Sequence, residues 1–89
     1  MLIRISSEIK PLTREVIMVV CEGQLSGQFN GFEDQNTVFE FHGGQKWRQA
    51  LYYYYYYYAY MPRAKVVRDG GRYILHVSGV QPTVEVTPV

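Results

Sequence analysis

Cysteine is nearly absent: Cys21 stands alone in 89 residues. A lone thiol cannot staple the chain internally, so a reducing compartment is the natural setting and a cytoplasmic protein is expected. Cys21 itself reads as a small, buried apolar side chain. Long apolar runs are missing too. The longest, Val16 to Cys21, is six residues, too short for a membrane span or for the apolar segment of a signal peptide. The two histidines, His42 and His76, do not stand at metal-ligand spacing from Cys21 or from a carboxylate. Metal and acid–base chemistry need a positioned constellation, so no metal, no cofactor and no enzymatic activity are expected. Gly43-Gly44 and Gly70-Gly71 are followed by no helical pattern, which a phosphate-cradling loop requires. Glu33 and Asp34 read as a solvated turn. A catalytic pairing of either with Glu40 needs a cleft that so short a chain hardly forms.

Strong net charge is also lacking, at +1 overall, but the charge is unevenly spread. Residues 1–44 carry three basic and six acidic side chains, whereas residues 45–89 carry six basic and two acidic. The basic half is the half that holds the chain's most distinctive feature. That feature is a run of seven tyrosines, Tyr52 to Tyr58, with an eighth at Tyr60.

Tyrosine favours strands because its ring packs on a pleated, half-buried surface. In a strand successive side chains alternate between faces. One face then carries Tyr52, Tyr54, Tyr56, Tyr58 and Tyr60. The other carries Trp47, Gln49, Leu51, Tyr53, Tyr55, Tyr57, Ala59 and Met61. An unbroken strand from Lys46 to Pro62 would span about 50 Å at roughly 3.3 Å per residue. A domain this small cannot hold it straight, so a bend, a bulge or two successive strands are expected, near Ala50 or mid-run.

Along the rest of the chain, Leu2–Ile5 suits a short strand and Ser6–Pro11 a turn. Thr13–Cys21 suits a short helix capped by Thr13 or, slightly better given Val16, Ile17, Val19 and Val20, a strand. Gly23–Phe32 alternates, and its three glycines suggest a bent or bulged strand. Thr37–Phe41 reads as a strand with Phe39 and Phe41 on one side, and His42–Gln45 as a tight turn. Ala64–Arg68 and Arg72–Val77 form a hairpin about Asp69-Gly70-Gly71. In it Lys65 and Val67 join Tyr73, Leu75 and Val77 against Val66, Ile74 and His76 for the core. Thr83–Val86 makes a last strand. The pattern predicts one all-β domain, an SH3-like partly open barrel of five to seven strands with at most one short N-terminal helix. Its expected parts are residues 1–19 as an extension or first strand or helix, 20–86 as the β core, and 87–89 as a frayed tail.

Several of these residues together resemble a family of small uncharacterised bacterial β-domains that occur alone or appended to larger proteins. The match runs through Gly27-x-Phe29-x-Gly31-Phe32, Phe39-x-Phe41, Gly44-Gln45-x-Trp47-x-Gln49, the alternate tyrosines to Pro62, Gly71-x-Tyr73 and Val77-x-Gly79-Val80. It spans roughly residues 20–86. The resemblance implies no established activity. It does imply that Tyr52, Tyr54, Tyr56, Tyr58 and Tyr60 are the structural set; Trp47, on its own reading, is a core indole with its N–H satisfied. Intervening positions in the family tend to be polar or His, so the resemblance also makes Tyr53, Tyr55 and Tyr57 the more exposed set.

The candidate binding surface is therefore Tyr53, Tyr55 and Tyr57 with Arg48, Arg63 and Lys65. Tyrosine and arginine are enriched at protein interfaces, so a protein partner or self-association is the leading expectation. Weak single-stranded nucleic-acid binding, with rings stacking bases and cations holding phosphates, is the alternative.

Overall fold

The structure, a computed structural model, describes residues 17–89. The expected strand at 2–5, the turn at 6–11 and the Thr13 cap lie outside the described residues. The described residues form eight strands: β1 (Ile17–Gln24), β2 (Gln28–Phe29), β3 (Val38–Glu40), β4 (Lys46–Gln49), β5 (Ala59–Tyr60), β6 (Arg63–Asp69), β7 (Arg72–Val77) and β8 (Val84–Pro88). Every pairing is antiparallel, and the described residues hold no helix. The β-branched run from Ile17 onward is thus strand, not helix, which is the better fit of its stiff side chains.

Six strands form one sheet in the order β1-β6-β7-β8-β4-β3, and β2 pairs with β5 in a second, two-stranded one. The β6–β7 hairpin is the most regular part. Val66 opposes Leu75 and Ala64 opposes Val77, and all four are buried in the core. Val66 therefore sides with Leu75 and Val77, while Lys65, Val67, Ile74 and His76 share the opposite face. This corrects the expected grouping, because antiparallel partners lie on one face. The two ends of the sheet meet at a single bridge, Leu25 to Phe41. It is flanked by the Ser26 N–H donating to the Glu40 carbonyl at 2.7 Å and the His42 N–H to the Gln24 carbonyl at 2.9 Å. One bridge does not close the sheet into a barrel.

Phe39 and Phe41 are buried and Val38 and Glu40 exposed, as alternation requires. Alternation fails at Phe29 and Phe32, which are both buried and pack edge to face at 5.9 Å. The backbone turns between them at Gly31, whose φ is +92°. Two residues of the expected frayed tail are instead strand: Thr87 opposes Arg48 and Pro88 opposes Trp47, with exposed Val89 just beyond them. No helix among the described residues is long and apolar enough to cross a membrane.

Candidate functional site

The tyrosine run is extended chain, but most of it is not ladder strand. The regular strand stops at Gln49 and resumes only at Ala59. Between them one bridge, Phe32 to Tyr55, ties the segment down. The break begins at Ala50, one of the two places where a bend was expected, and runs to Tyr58.

Four features hold this extended segment in place. The Tyr55 N–H donates to the Phe32 carbonyl at 2.9 Å, and the Phe32 N–H returns a bond to the Tyr55 carbonyl at 2.8 Å. Gln49 is fully buried and works as a polar clamp. Its Oε1 accepts the Glu33 N–H at 2.9 Å, and its Nε2 donates to the carbonyls of Leu51 at 2.9 Å and Tyr53 at 3.1 Å. A buried amide with its donors and acceptor used is stabilising; the same amide unpaired would not be. Gly31 lets the backbones cross. A Cβ there would collide with the Tyr55 carbonyl oxygen and lie 2.8 Å from the Tyr57 nitrogen. Gly79 (φ +86°) leaves room for the Tyr57 hydroxyl, which would stand 2.8 Å from a Cβ at that position.

These contacts decide which tyrosines point inward. Tyr55 and Tyr57 are half-buried and pack on the core. Tyr53 leans on Phe32 at 6.1 Å, with 42% of its surface left exposed. Tyr52, Tyr54, Tyr56, Tyr58 and Tyr60 face outward, 51% to 68% exposed. This inverts the expected assignment, in which Tyr53, Tyr55 and Tyr57 were the exposed set and the alternate five the structural one. The physical reason is tertiary: the Phe32–Tyr55 bridge and the Phe32 ring hold Tyr53 and Tyr55 on the core side, whereas the inward parity of Trp47 and Gln49 is interrupted at Leu51, which bends the chain and is 57% exposed. The resemblance pointed the other way because it treats the positions between the motif tyrosines as polar.

The predicted cations do not gather round the tyrosines. Arg48 lies exposed on β4, on the side away from Trp47 and Gln49. Arg63 and Lys65 line a separate cleft of about 260 Å³ on the outer face of β1, β6 and β7, with Glu22, His76 and Ser78. There Glu22, Lys65 and His76 stand side by side across three strands. Burial, and secondarily the charge of Lys65, push the His76 pKa below its ordinary value. Trp47 is core, as expected, against Tyr73 at 5.1 Å. Its indole N–H has no hydrogen-bond partner among the described residues, although it approaches the half-buried Cys21. Burial raises that thiol's pKa, and the indole's proximity lowers it by less. A thiol so placed is not an activated nucleophile. Among the described residues, no three His, Cys, Asp or Glu side chains converge as metal ligands.

The outward backbone differs from the inward one as well. Tyr54, Tyr56 and Tyr58 make no backbone hydrogen bond to any described residue. The exposed row is thus also an unpaired sheet edge. Sequence reasoning missed it as a surface, because the contact that turns the odd-numbered tyrosines inward comes from Phe32, far away in sequence. No family model, curated protein or solved structure matches the chain.

Proposed function

We propose that this chain is a non-enzymatic binding or assembly module that engages another protein strand through its outward tyrosine row. One observation carries the reading: Tyr52, Tyr54, Tyr56, Tyr58 and Tyr60 are exposed together on a backbone whose N–H and C=O groups at Tyr54, Tyr56 and Tyr58 lack partners among the described residues. Main-chain groups of an open edge supply affinity to an added strand, and alternate side chains supply selectivity. Tyrosine suits the task because it presents a large, rigid, amphipathic surface. The SH3-like, partly open barrel belongs to the same proposal: the Leu25–Phe41 bridge supports a sheet curled until its ends touch. So does the resemblance to small stand-alone or appended β-domains.

The test is selection of extended peptides against the folded chain, followed by Tyr54→Ser with Tyr58→Ser. Binding should fall at least ~tenfold, about 1.4 kcal/mol, while Arg68→Ser leaves it unchanged. Ligands indifferent to the tyrosine pair would overturn the reading. A second reading, single-stranded nucleic acid, draws on Arg48 and Arg63, the cations nearest in sequence to either end of the segment. It requires oligonucleotide binding that weakens steeply as salt rises.

A further inference from the structure

We infer that the outer face of β1, β6 and β7 holds a second site, which takes a small amphipathic carboxylate. The anionic group sits over Arg63, Lys65, His76 and Ser78, and the apolar body over Val67 and Ile74. This site uses none of the tyrosine row and stands apart from the binding-module reading.

Register brings the donors together. Lys65 opposes His76. The Ser78 N–H donates to the Arg63 carbonyl at 2.8 Å, which extends the β6–β7 ladder by one more pair. Opposed residues share a face and stand about 4.5–5.5 Å apart, and residues two apart on a strand stand roughly 7 Å apart. The four residues therefore mark the corners of a rectangle, and each carries a donor. They line the cleft of about 260 Å³. None of the four side chains hydrogen-bonds to another described residue. A carboxylate over the rectangle accepts charge-assisted bonds from more than one corner, and a guanidinium can take both of its oxygens.

Glu22 lines the same cleft and sets its limit. It opposes Lys65 from β1, one strand outside the rectangle. Its charge disfavours a ligand with negative charge along its whole length and tolerates a single carboxylate held over β6 and β7.

The apolar half lies next along the strands. Val67 opposes Ile74 on one side and Val19 on the other. A second cleft, of about 380 Å³, is lined by Val67, Ile74 and Ile17 and shares Lys65 and His76 with the first. Val67 is only 6% exposed, yet it is no part of the main core and floors this face instead. Asp69 and Arg72, opposed in register, stand at the far end. From the middle of the rectangle to that row is roughly 16 Å, room for a chain of about eight carbons. An apolar floor with a few convergent polar groups is the usual anatomy of a small-molecule site.

Protonation is coupled to occupancy. Burial, and secondarily Lys65, hold the His76 pKa below its ordinary value. The charges facing His76 are Lys65 and Arg63 on β6, Glu22 beyond them on β1, and Glu85 on β8, opposite Ile74. A carboxylate beside Lys65 offsets the repulsion from that ammonium and favours the imidazolium. The His76 pKa therefore rises on binding, and by linkage the ligand binds more tightly as pH falls below neutrality.

Octanoate titrated into the full chain, followed by amide NMR shifts, should bind at about millimolar and move the amides of 63–67 and 74–78. Acetate, which lacks the apolar body, and octylammonium, which reverses the charge, should each bind at least ~tenfold more weakly. Arg63→Gln with Lys65→Gln, both exposed, should weaken octanoate at least ~tenfold and keep the unfolding midpoint of the parent. Glu22→Gln should tighten it about two- to threefold. The His76 ring should titrate at higher pH with octanoate than without. Tyr54→Ser with Tyr58→Ser should leave octanoate binding unchanged, so failure here and failure of the tyrosine edge are told apart. Shifts that are absent or scattered over the chain overturn the site, as does binding indifferent to the Arg63 and Lys65 changes and to pH. Acetate that binds as well as octanoate overturns the amphipathic class.

Discussion

Two rows of rings leave the same eleven-residue segment, Leu51 to Met61, in opposite directions, and they differ in almost everything but residue type. The inward row, Tyr55 and Tyr57 with Tyr53 at its margin, has its place set by contacts from distant parts of the chain. These are the Phe32 backbone, the Gln49 amide, and the space left by Gly31 and Gly79. Among the described residues the outward row has no such contacts and keeps its surface. Tyrosine as such therefore decides neither burial nor role here. A segment with few ladder bonds is positioned by side-chain clamps and glycine clearances. What those leave on the far side is a surface available for another molecule.

The largest test of this contrast is Gly31→Ala. The added methyl meets backbone at two points, not a flexible side chain, and the φ of +92° is itself unfavourable for alanine. We expect a loss of about 3 kcal/mol or more, or failure to fold, measured by denaturant unfolding. Gly27→Ala is the control. Its φ is also positive, but no described residue lies within 4 Å of the added carbon, so it should cost about 1–2 kcal/mol. Equal losses at the two sites would show that the crossing at Gly31 does not hold the segment.

Next in size is Gln49. Gln49→Met keeps the volume of the side chain and removes its hydrogen bonds. It leaves the Glu33 N–H and the Leu51 and Tyr53 carbonyls without their clamp. We expect a loss of about 2–3 kcal/mol. The amides of residues 51–58 should also exchange hydrogen faster than those of β6 and β7, which the change leaves untouched. Uniform acceleration across the chain would mean that Gln49 is ordinary core and not a clamp on this segment.

How much of this was legible beforehand depends on how local the cause is. The β6–β7 hairpin could be read from Asp69-Gly70-Gly71 between two apolar runs, because a tight turn is encoded within a few residues. Phe39 and Phe41 could be read from strict alternation. The all-β class followed from many short strands and close turns. The weakness of the ladder through Tyr52–Tyr58 was not readable, since it depends on which strand comes alongside, and Phe32 is more than twenty residues away. Nor was the need for Gly31, which arises from a crossing of two distant backbones. The direction of the tyrosines was not readable by counting on from Trp47 and Gln49, because Leu51, on the same parity, lies exposed at a bend. The resemblance, which treated intervening positions as polar, pointed the other way.

The smallest expected effects complete the comparison, and they must be small for it to stand. Tyr57→Ala removes a half-buried ring that packs on the core above Gly79 and should cost about 2 kcal/mol. Tyr53→Ala, with less burial and one ring contact, should cost about 1 kcal/mol. Tyr54→Ala and Tyr58→Ala should each stay within about 0.5 kcal/mol in unfolding at concentrations where the chain is monomeric. The sign of any residue left over is informative. Tyrosine outscores alanine in strands, so a few tenths lost at Tyr54 reflect the extended backbone alone. A loss at Tyr54 equal to that at Tyr57 would mean that the outward ring is already covered within one chain. In that case the edge would not be free to pair, and the two rows would be alike after all.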